Sequence, residues 1–529
     1  MVPSFLDMEF FVRFILVLLN IVAIIIEPIV VWLNGEEKKK IPAAKNPLIN
    51  LSANEVIYRI RHGELKSEEI VKVYIDRIKE VNPYLNAVIE DRYEEAIKDA
   101  KRADNMMEIV APEQRAPLFS RYPLLGLPFT VKESCALKGM SQVVGNIHRK
   151  DYRANDNGKS IELLRAAGAI PLLVSGNPEF CMSWETSTHL FGKVKNPYDT
   201  RRTPGGSSGG EGALNGAGAS LFGVGSDIAG SIRIPALYNG IFGHKPTGHL
   251  MSIKGHFPNS IDPNMGRYLQ VGPMTRFAQD LPILTAVMAG DEAAKMDLTT
   301  RVVTKDIKIF YMDSNGFTLT HKPVDFDIRL AIMKAVAYFK KSGCQTEKAD
   351  IRNMSNAIEI SMSTLLTLKD VPSILVDPKG DPNEKDNIYA ELLKNFVGKP
   401  KYTYQAIFLE LFMNMRGFMS ETSIQYWKET SDEVRDSIIK LLGDNGVLLF
   451  PTFHRPAPFI NTSIQNLAGV GFVAIANSCG LPATHVPMGL NKEGLPIGFQ
   501  VIAAPYKDKL CMQVAAELES AYGGWVPPY

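Results

Sequence analysis

Residues 205–235 read GGSSGGEGALNGAGASLFGVGSDIAGSIRIP, and ten of these 31 residues are glycine. Glycine gives up more backbone entropy on folding than any other residue. An ordered stretch therefore gathers it only where the chain turns tightly or approaches another group closely. Serines stand at 207, 208, 220, 226 and 231 of the same stretch. Bare backbone and hydroxyls must pack together here.

Three chemistries use such a segment. A phosphate-cradling loop needs GxxxxGK[ST], or GxGxxG between a strand and a helix, and no lysine follows these glycines at the required place. A nucleophile elbow needs a buried strand before its GxSxG. Gly206-Ser207-Ser208-Gly209-Gly210 fits the letters, but its lead-in, NPYDTRRTP, is a polar turn. Such hydrolases also need a later histidine and acid, and His244, His249, His256 and His454 stand in no recognisable context. The third chemistry is a serine activated by a lysine. A hydroxyl is a weak nucleophile without a positioned base, and lysine serves in its neutral form, which burial favours. Lys132, in LPFTVKES and flanked by Phe129 and Val131, lies where an apolar strand carries it inward.

Taken together these motifs resemble the amidase signature family, whose catalytic set is Ser–Ser–Lys. Lys132 in PFTVKES, Ser207 in GGSSGG and Ser231 in DIAGSIR match its motifs, 75 residues from lysine to first serine and 24 from there to the second. NPYD (196–199), GHKPT (243–247), GPMTR (272–276), SCGLPA (478–483) and GLPIGFQV (494–501) extend the likeness over roughly residues 50–525. Ala229 stands where many members carry glycine; its methyl narrows the loop and leaves the N–H in place.

The resemblance implies an α/β amidase-signature fold, a central mixed sheet covered by helices on both faces, and amide hydrolysis without cofactor or metal. Ser231 would be the nucleophile, Ser207 (after a cis peptide bond) the proton relay and Lys132 the base. The N–H groups of Ile228, Ala229, Gly230 and Ser231 would form the oxyanion hole. Ser208, Asp227 and Arg233 would hold the loop, and the main chain from Cys181 to Ser183 would contact substrate.

The chain has 529 residues, 45% hydrophobic, with a net charge of +1. That supports a large core and gives no electrostatic footprint for nucleic acid. Its five scattered cysteines (Cys135, Cys181, Cys344, Cys479, Cys511) show neither metal nor disulfide spacing. Sequons at Asn50, Asn353 and Asn461 do not settle the compartment. From Phe10 to Leu33 the chain is apolar apart from Arg13, Asn20, Glu27 and Pro28. Twenty-four residues at helical rise span a bilayer core. Residues 1–35 are therefore expected to be a single-pass anchor in an intracellular membrane, 36–50 a linker and 51–529 the catalytic domain. A signal peptide and a buried core helix are the competing readings. The lysines at 38–40 favour a cytosolic domain, Arg13 weakens the contrast, and the orientation stays open.

The anchor, with NPEFCMSWETSTHLFGKVKNPYD and GSDIAGSIRIPALYNGIFGHKPT, resembles the second, membrane-anchored type of the family's fatty-acid amide hydrolase branch. That implies lipid-like substrates, primary fatty amides and N-acylethanolamines, entering from the membrane, and allows a homodimer. Two alternatives remain: an amidase or esterase for small or xenobiotic amides, and a non-catalytic membrane-bound binding protein of the same fold.

Ser67 is read as an N-cap of a helix that Asn82-Pro83 ends. The runs AIPLLV, GVLLFPT, GFVAIA and IGFQVIA are read as buried apolar layers alternating with helices. KGDPNEKDN (379–387) reads as a solvated loop. YTYQAIFLELFMNMRGFM (402–419) reads as a helix packed on the core or as an apolar lip touching the bilayer.

Overall fold

The computed structural model describes residues 37–529 except 299, 301, 317–322, 379, 382, 383, 399, 417 and 418, and before them only positions 14, 17, 18, 21, 27–29, 32 and 35. Eleven strands form one mixed sheet: β1 (Val88–Asp91), β2 (Pro128–Lys132), β3 (Ile170–Ser175), β4 (Phe222–Asp227), β5 (Phe242–Lys245), β6 (Gln270–Thr275), β7 (Lys308–Tyr311), β8 (Thr346–Lys348), β9 (Gly446–Pro451), β10 (Ala483–Leu490) and β11 (Pro496–Ala503). Their spatial order is β1-β3-β2-β4-β6-β5-β10-β11-β9-β7-β8. β3, β2 and β4 run parallel, as do β9, β7 and β8, and the strands between pair antiparallel.

Every residue of β2, β3, β4, β9 and β11 is buried. Strands covered on both faces read as continuous apolar runs, and AIPLLV, GVLLFPT and IGFQVIA accordingly become β3, β9 and β11. GFVAIA does not. It lies in a wholly buried helix, Val470–Ser478, and a short apolar run carries no period that separates buried helix from buried strand.

Two cores flank the sheet's halves. One gathers Val56, Tyr74, Phe129, Leu173 and Phe222 around β2–β4, and the other Phe339, Phe450, Phe499 and Leu518 around β9–β11. The first is closed by α1 (Ala53–His62), α2 (Ser67–Leu85) and α3 (Tyr93–Ile109). A capping box starts α1: Ser52 Oγ accepts from the Glu55 N–H, and the Glu55 carboxylate accepts from the Ser52 N–H. The expectation for α2 needs correction at both ends. Ser67 is its first helical residue, not its cap, and the Asp104 carboxylate on α3 accepts from the N–H groups of Ser67 (2.6 Å) and Glu68 (2.9 Å). The helix also runs through Pro83 to Leu85, and Asn86 ends it in the left-handed conformation.

Within the stretch 36–50, Ile41 and Ile49 are buried, and the Arg77 guanidinium donates to the Pro42 carbonyl at 2.8 Å. The expectation of an anchor over residues 1–35 falls largely outside the described residues. Among the described residues no helix is long and apolar enough to cross a membrane. Glu27 is described, and its carboxylate accepts from both terminal nitrogens of Arg455, at 3.1 and 3.2 Å.

Candidate active site

β2 and β4 are parallel neighbours, with Val131 opposite Val224. Lys132 and Ser226 therefore reach the carboxyl ends of adjacent strands, where open α/β sheets bind their ligands. Lys132 is buried, its Nζ 2.6 Å from Ser207 Oγ and 2.8 Å from Ser226 Oγ. Ser207 follows a cis peptide bond from Gly206 and stands just before the helix α4 (Gly209–Gly216). A Cβ on Gly206 would meet the Ser183 carbonyl oxygen at 2.6 Å. A side chain there would force this backbone and that of Ser183-Trp184 apart.

The loop after β4 carries Ser231 and leads into α5 (Arg233–Asn239). Asp227 organises it. Its carboxylate accepts from the N–H groups of Gly230 (2.8 Å) and Ile232 (3.1 Å) and from the Arg233 guanidinium (2.9 and 3.0 Å). Burial alone would raise the Asp227 carboxyl, but the charge and hydrogen bonds of Arg233 hold it well below the usual carboxylate range. Gly230 has φ +94°, which favours glycine, and a Cβ there would strike Val473 at 2.5 Å. Arg233 also donates to Gln500 and Asn477, tying the loop to β11 and the buried 470–478 helix.

The structure brings Lys132 and Ser207 into contact and opens Ser207 and Ser231 onto one cavity. Of the four expected oxyanion donors, Gly230 drops out, because its N–H is spent on Asp227. Those of Ile228, Ala229 and Ser231 have no partner among the described residues. Ser208 does not touch the lysine. Its hydroxyl lies 3.3 Å from both the N and O of Ser226, and its N–H donates to the Ser231 carbonyl at 3.1 Å, joining the two serine loops. Cys181 and Ser183 line the cavity, with the Cys181 N–H taken by the Pro178 carbonyl.

Three residues of the site escaped the sequence reading. Ser226 was visible only as one serine among five. His256 sits with its Nε2 2.8 Å from Ser226 Oγ and its Nδ1 2.7 Å from the Pro258 carbonyl. Burial pushes its pKa down to about 3, so the ring is neutral. Glu211, on α4, accepts from Thr130 (2.5 Å) and Ser175 (2.6 Å), and burial pushes it up to about 7. His256 lies outside the quoted motifs, and Glu211, although inside the glycine-rich stretch, has a role that only its partners reveal.

The cavity measures about 470 Å³, within the ordinary range for small-molecule sites. Its polar lining includes Ser207, Ser226, Ser231 and His256. Met265, Ile358, Leu365 and Leu467 are among its apolar walls, with Phe412 and Met413 from the helix Tyr404–Asn414. The core-packing reading of that helix holds for Ala406 and Ile407, which are buried, while its next turns face the cavity. Thr403, its N-cap, donates its N–H to Glu179 at 2.9 Å. Among the described residues no group of His, Cys, Asp and Glu is arranged to hold a metal.

The mixed α/β sheet thus carries a buried lysine–serine pair that opens on a largely apolar cavity. The amidase family model matches residues 69–512. Fatty-acid amide hydrolase 2 of Homo sapiens is 36% identical over 91% of this chain and 91% of its own length. Fatty-acid amide hydrolase 2-B of Danio rerio is 38% identical over 93% of each. Among solved structures, a fatty acid amide hydrolase superposes with a TM-score of 0.69 at 22% identity, covering 91% of this chain and 86% of that one. The chain belongs to the amidase signature family and is an amide-hydrolysing enzyme.

Proposed function

We propose that this enzyme hydrolyses the amide bond of long-chain fatty-acid amides, primary amides and N-acylethanolamines, through an acyl-enzyme on Ser231. The carrying observation is the 2.6 Å contact between Lys132 and Ser207 at a cavity that also exposes Ser231 and is walled largely by apolar side chains. Ser231 Oγ attacks the carbonyl carbon as its proton passes to Ser207 Oγ and the Ser207 proton passes to Lys132 Nζ. The N–H groups of Ile228, Ala229 and Ser231 receive the oxyanion, each such donor being worth a few kcal/mol. Run backwards, the relay protonates the departing amine. Water then attacks the acyl-enzyme by the same route and releases the fatty acid.

Membrane association is part of the proposal. The apolar segment before residue 36 would serve as a single-pass anchor of an intracellular membrane. Tyr389, Leu393 and Val397, four residues apart, are each more than 60% exposed beside the helix that walls the cavity. Such an unpartnered apolar stripe suits a lipid surface. A long-chain fluorophosphonate followed by peptide mass spectrometry tests the chemistry. An adduct on Ser231, absent in Ser231→Ala and greatly slowed in Lys132→Ala, is expected. Labelling of Ser208 that is indifferent to Lys132 would overturn the relay.

A further inference from the structure

The hydrogen bonds beyond Lys132 have a fixed direction. The Pro258 carbonyl can only accept, so His256 Nδ1, 2.7 Å away, carries the ring proton. Nε2 of the neutral ring is then an acceptor, and the Ser226 hydroxyl, 2.8 Å away, donates to it. Ser226 Oγ in turn presents lone pairs to Lys132 Nζ at 2.8 Å and takes an N–H from it. A neutral amine has a single lone pair. With Ser226 unable to donate into it, that lone pair remains for the Ser207 proton, 2.6 Å away.

The imidazole is held firmly. The Phe257 N–H donates to the Ser134 carbonyl at 2.9 Å, the Ala136 N–H to the Gly255 carbonyl at 3.0 Å, and Cys135 and His256 form a backbone bridge. Ser134 Oγ lies 3.2 Å from the same Nε2, a longer contact than the 2.8 Å of Ser226, which takes the lone pair. The loop 253–258 is thus pinned to the residues that directly follow Lys132.

We propose that His256 is a positioning residue for the base: acting through Ser226, it orients Lys132 so that the amine accepts from Ser207. This rests on the Ser231–Ser207–Lys132 reading above. Without the Nε2 acceptor, the Ser226 hydroxyl turns toward the lysine lone pair and competes with Ser207 for it.

The test is steady-state kinetics on oleamide for His256→Gln, His256→Asn, Ser226→Ala and the double variant Ser226→Ala/His256→Phe, with His256→Phe and Ser231→Ala alongside. Thermal melts confirm folding. His256→Phe is expected to lower kcat by about 10- to 100-fold, a part of what a positioned proton acceptor contributes, with KM changed by less than about twofold. Gln places an amide oxygen where Nε2 stood and should restore most of kcat. Asn keeps the Pro258 contact, does not reach Ser226, and should not. The double variant should be no slower than Ser226→Ala alone. Wild-type kcat in His256→Phe, equal rates in the Gln and Asn variants, or additive losses in the double variant would overturn the inference alone. Turnover surviving Ser231→Ala would instead overturn the underlying reading. The Gln–Asn contrast decides the matter even where the Phe variant does not fold.

Discussion

Asp227 and Arg233, both wholly shielded from solvent, face each other at 2.9 Å across the five-residue loop that carries Ser231. The pair does not line the cavity, yet it fixes the loop that presents the serine. Breaking a buried pair strands a charge and costs about 3–5 kcal/mol. Arg233→Met is therefore expected to lower Tm and to cut kcat by releasing the loop. Calorimetry beside single-turnover labelling of Ser231 separates the two. A variant with full stability loss and unchanged labelling rate would show that the pair holds the core and not the loop.

The relay predicts a difference between substrates. An amine leaves only when protonated, while an alkoxide leaves more readily on its own. Ser207→Ala should depress kcat for a fatty amide by about 10²–10⁴ and the matched methyl ester by much less. Equal losses on the two substrates would count against proton delivery through Ser207.

Glu211 gives a pH prediction. Its folded-state pKa, about 7, lies above the ordinary carboxylate value because of burial. A raised carboxyl contributes stability that is present below its unfolded pKa and is lost as pH rises through the folded one. Between about pH 4.5 and 7, Glu211→Gln should thus gain stability relative to wild type, and the gap should flatten above that window. Melts across pH 5 to 8 check it; a constant difference would mean that Glu211 does not titrate there.

Chain length reports on the cavity. Each methylene buried along its apolar walls should contribute about 0.8 kcal/mol, or roughly fourfold in kcat/KM. Leu365→Trp, which fills part of that wall, should flatten the dependence for long amides and spare short ones. A wild-type enzyme indifferent to chain length would favour small amides as its substrates.

The contrast between legible and illegible residues follows from where information sits along the chain. Lys132, Ser207 and Ser231 are embedded in motifs whose flanking residues specify strand, turn and loop locally, so they could be read directly. Ser226 and His256 meet only because loop 253–258 docks beside β2, and Glu211 reaches Thr130 only because α4 packs beneath that strand. No local pattern encodes such contacts. Asp104 capping a helix that starts 37 positions earlier is the same case. The spending of the Gly230 N–H on Asp227 is also invisible without the folded loop, although both residues had been singled out.

The two halves of the cavity come from different stretches of chain. Lys132 and Ser226 sit at the ends of neighbouring parallel strands, with Ser207 and Ser231 on loops beside them, while much of the apolar wall comes from 358–371 and 409–416, more than a hundred residues downstream. Substitutions in the wall can reshape what enters without touching the proton relay. Across descendants of such a chain, new specificities should arise by drift in those later segments while the strand ends stay fixed, so that chemistry is inherited and diet is acquired.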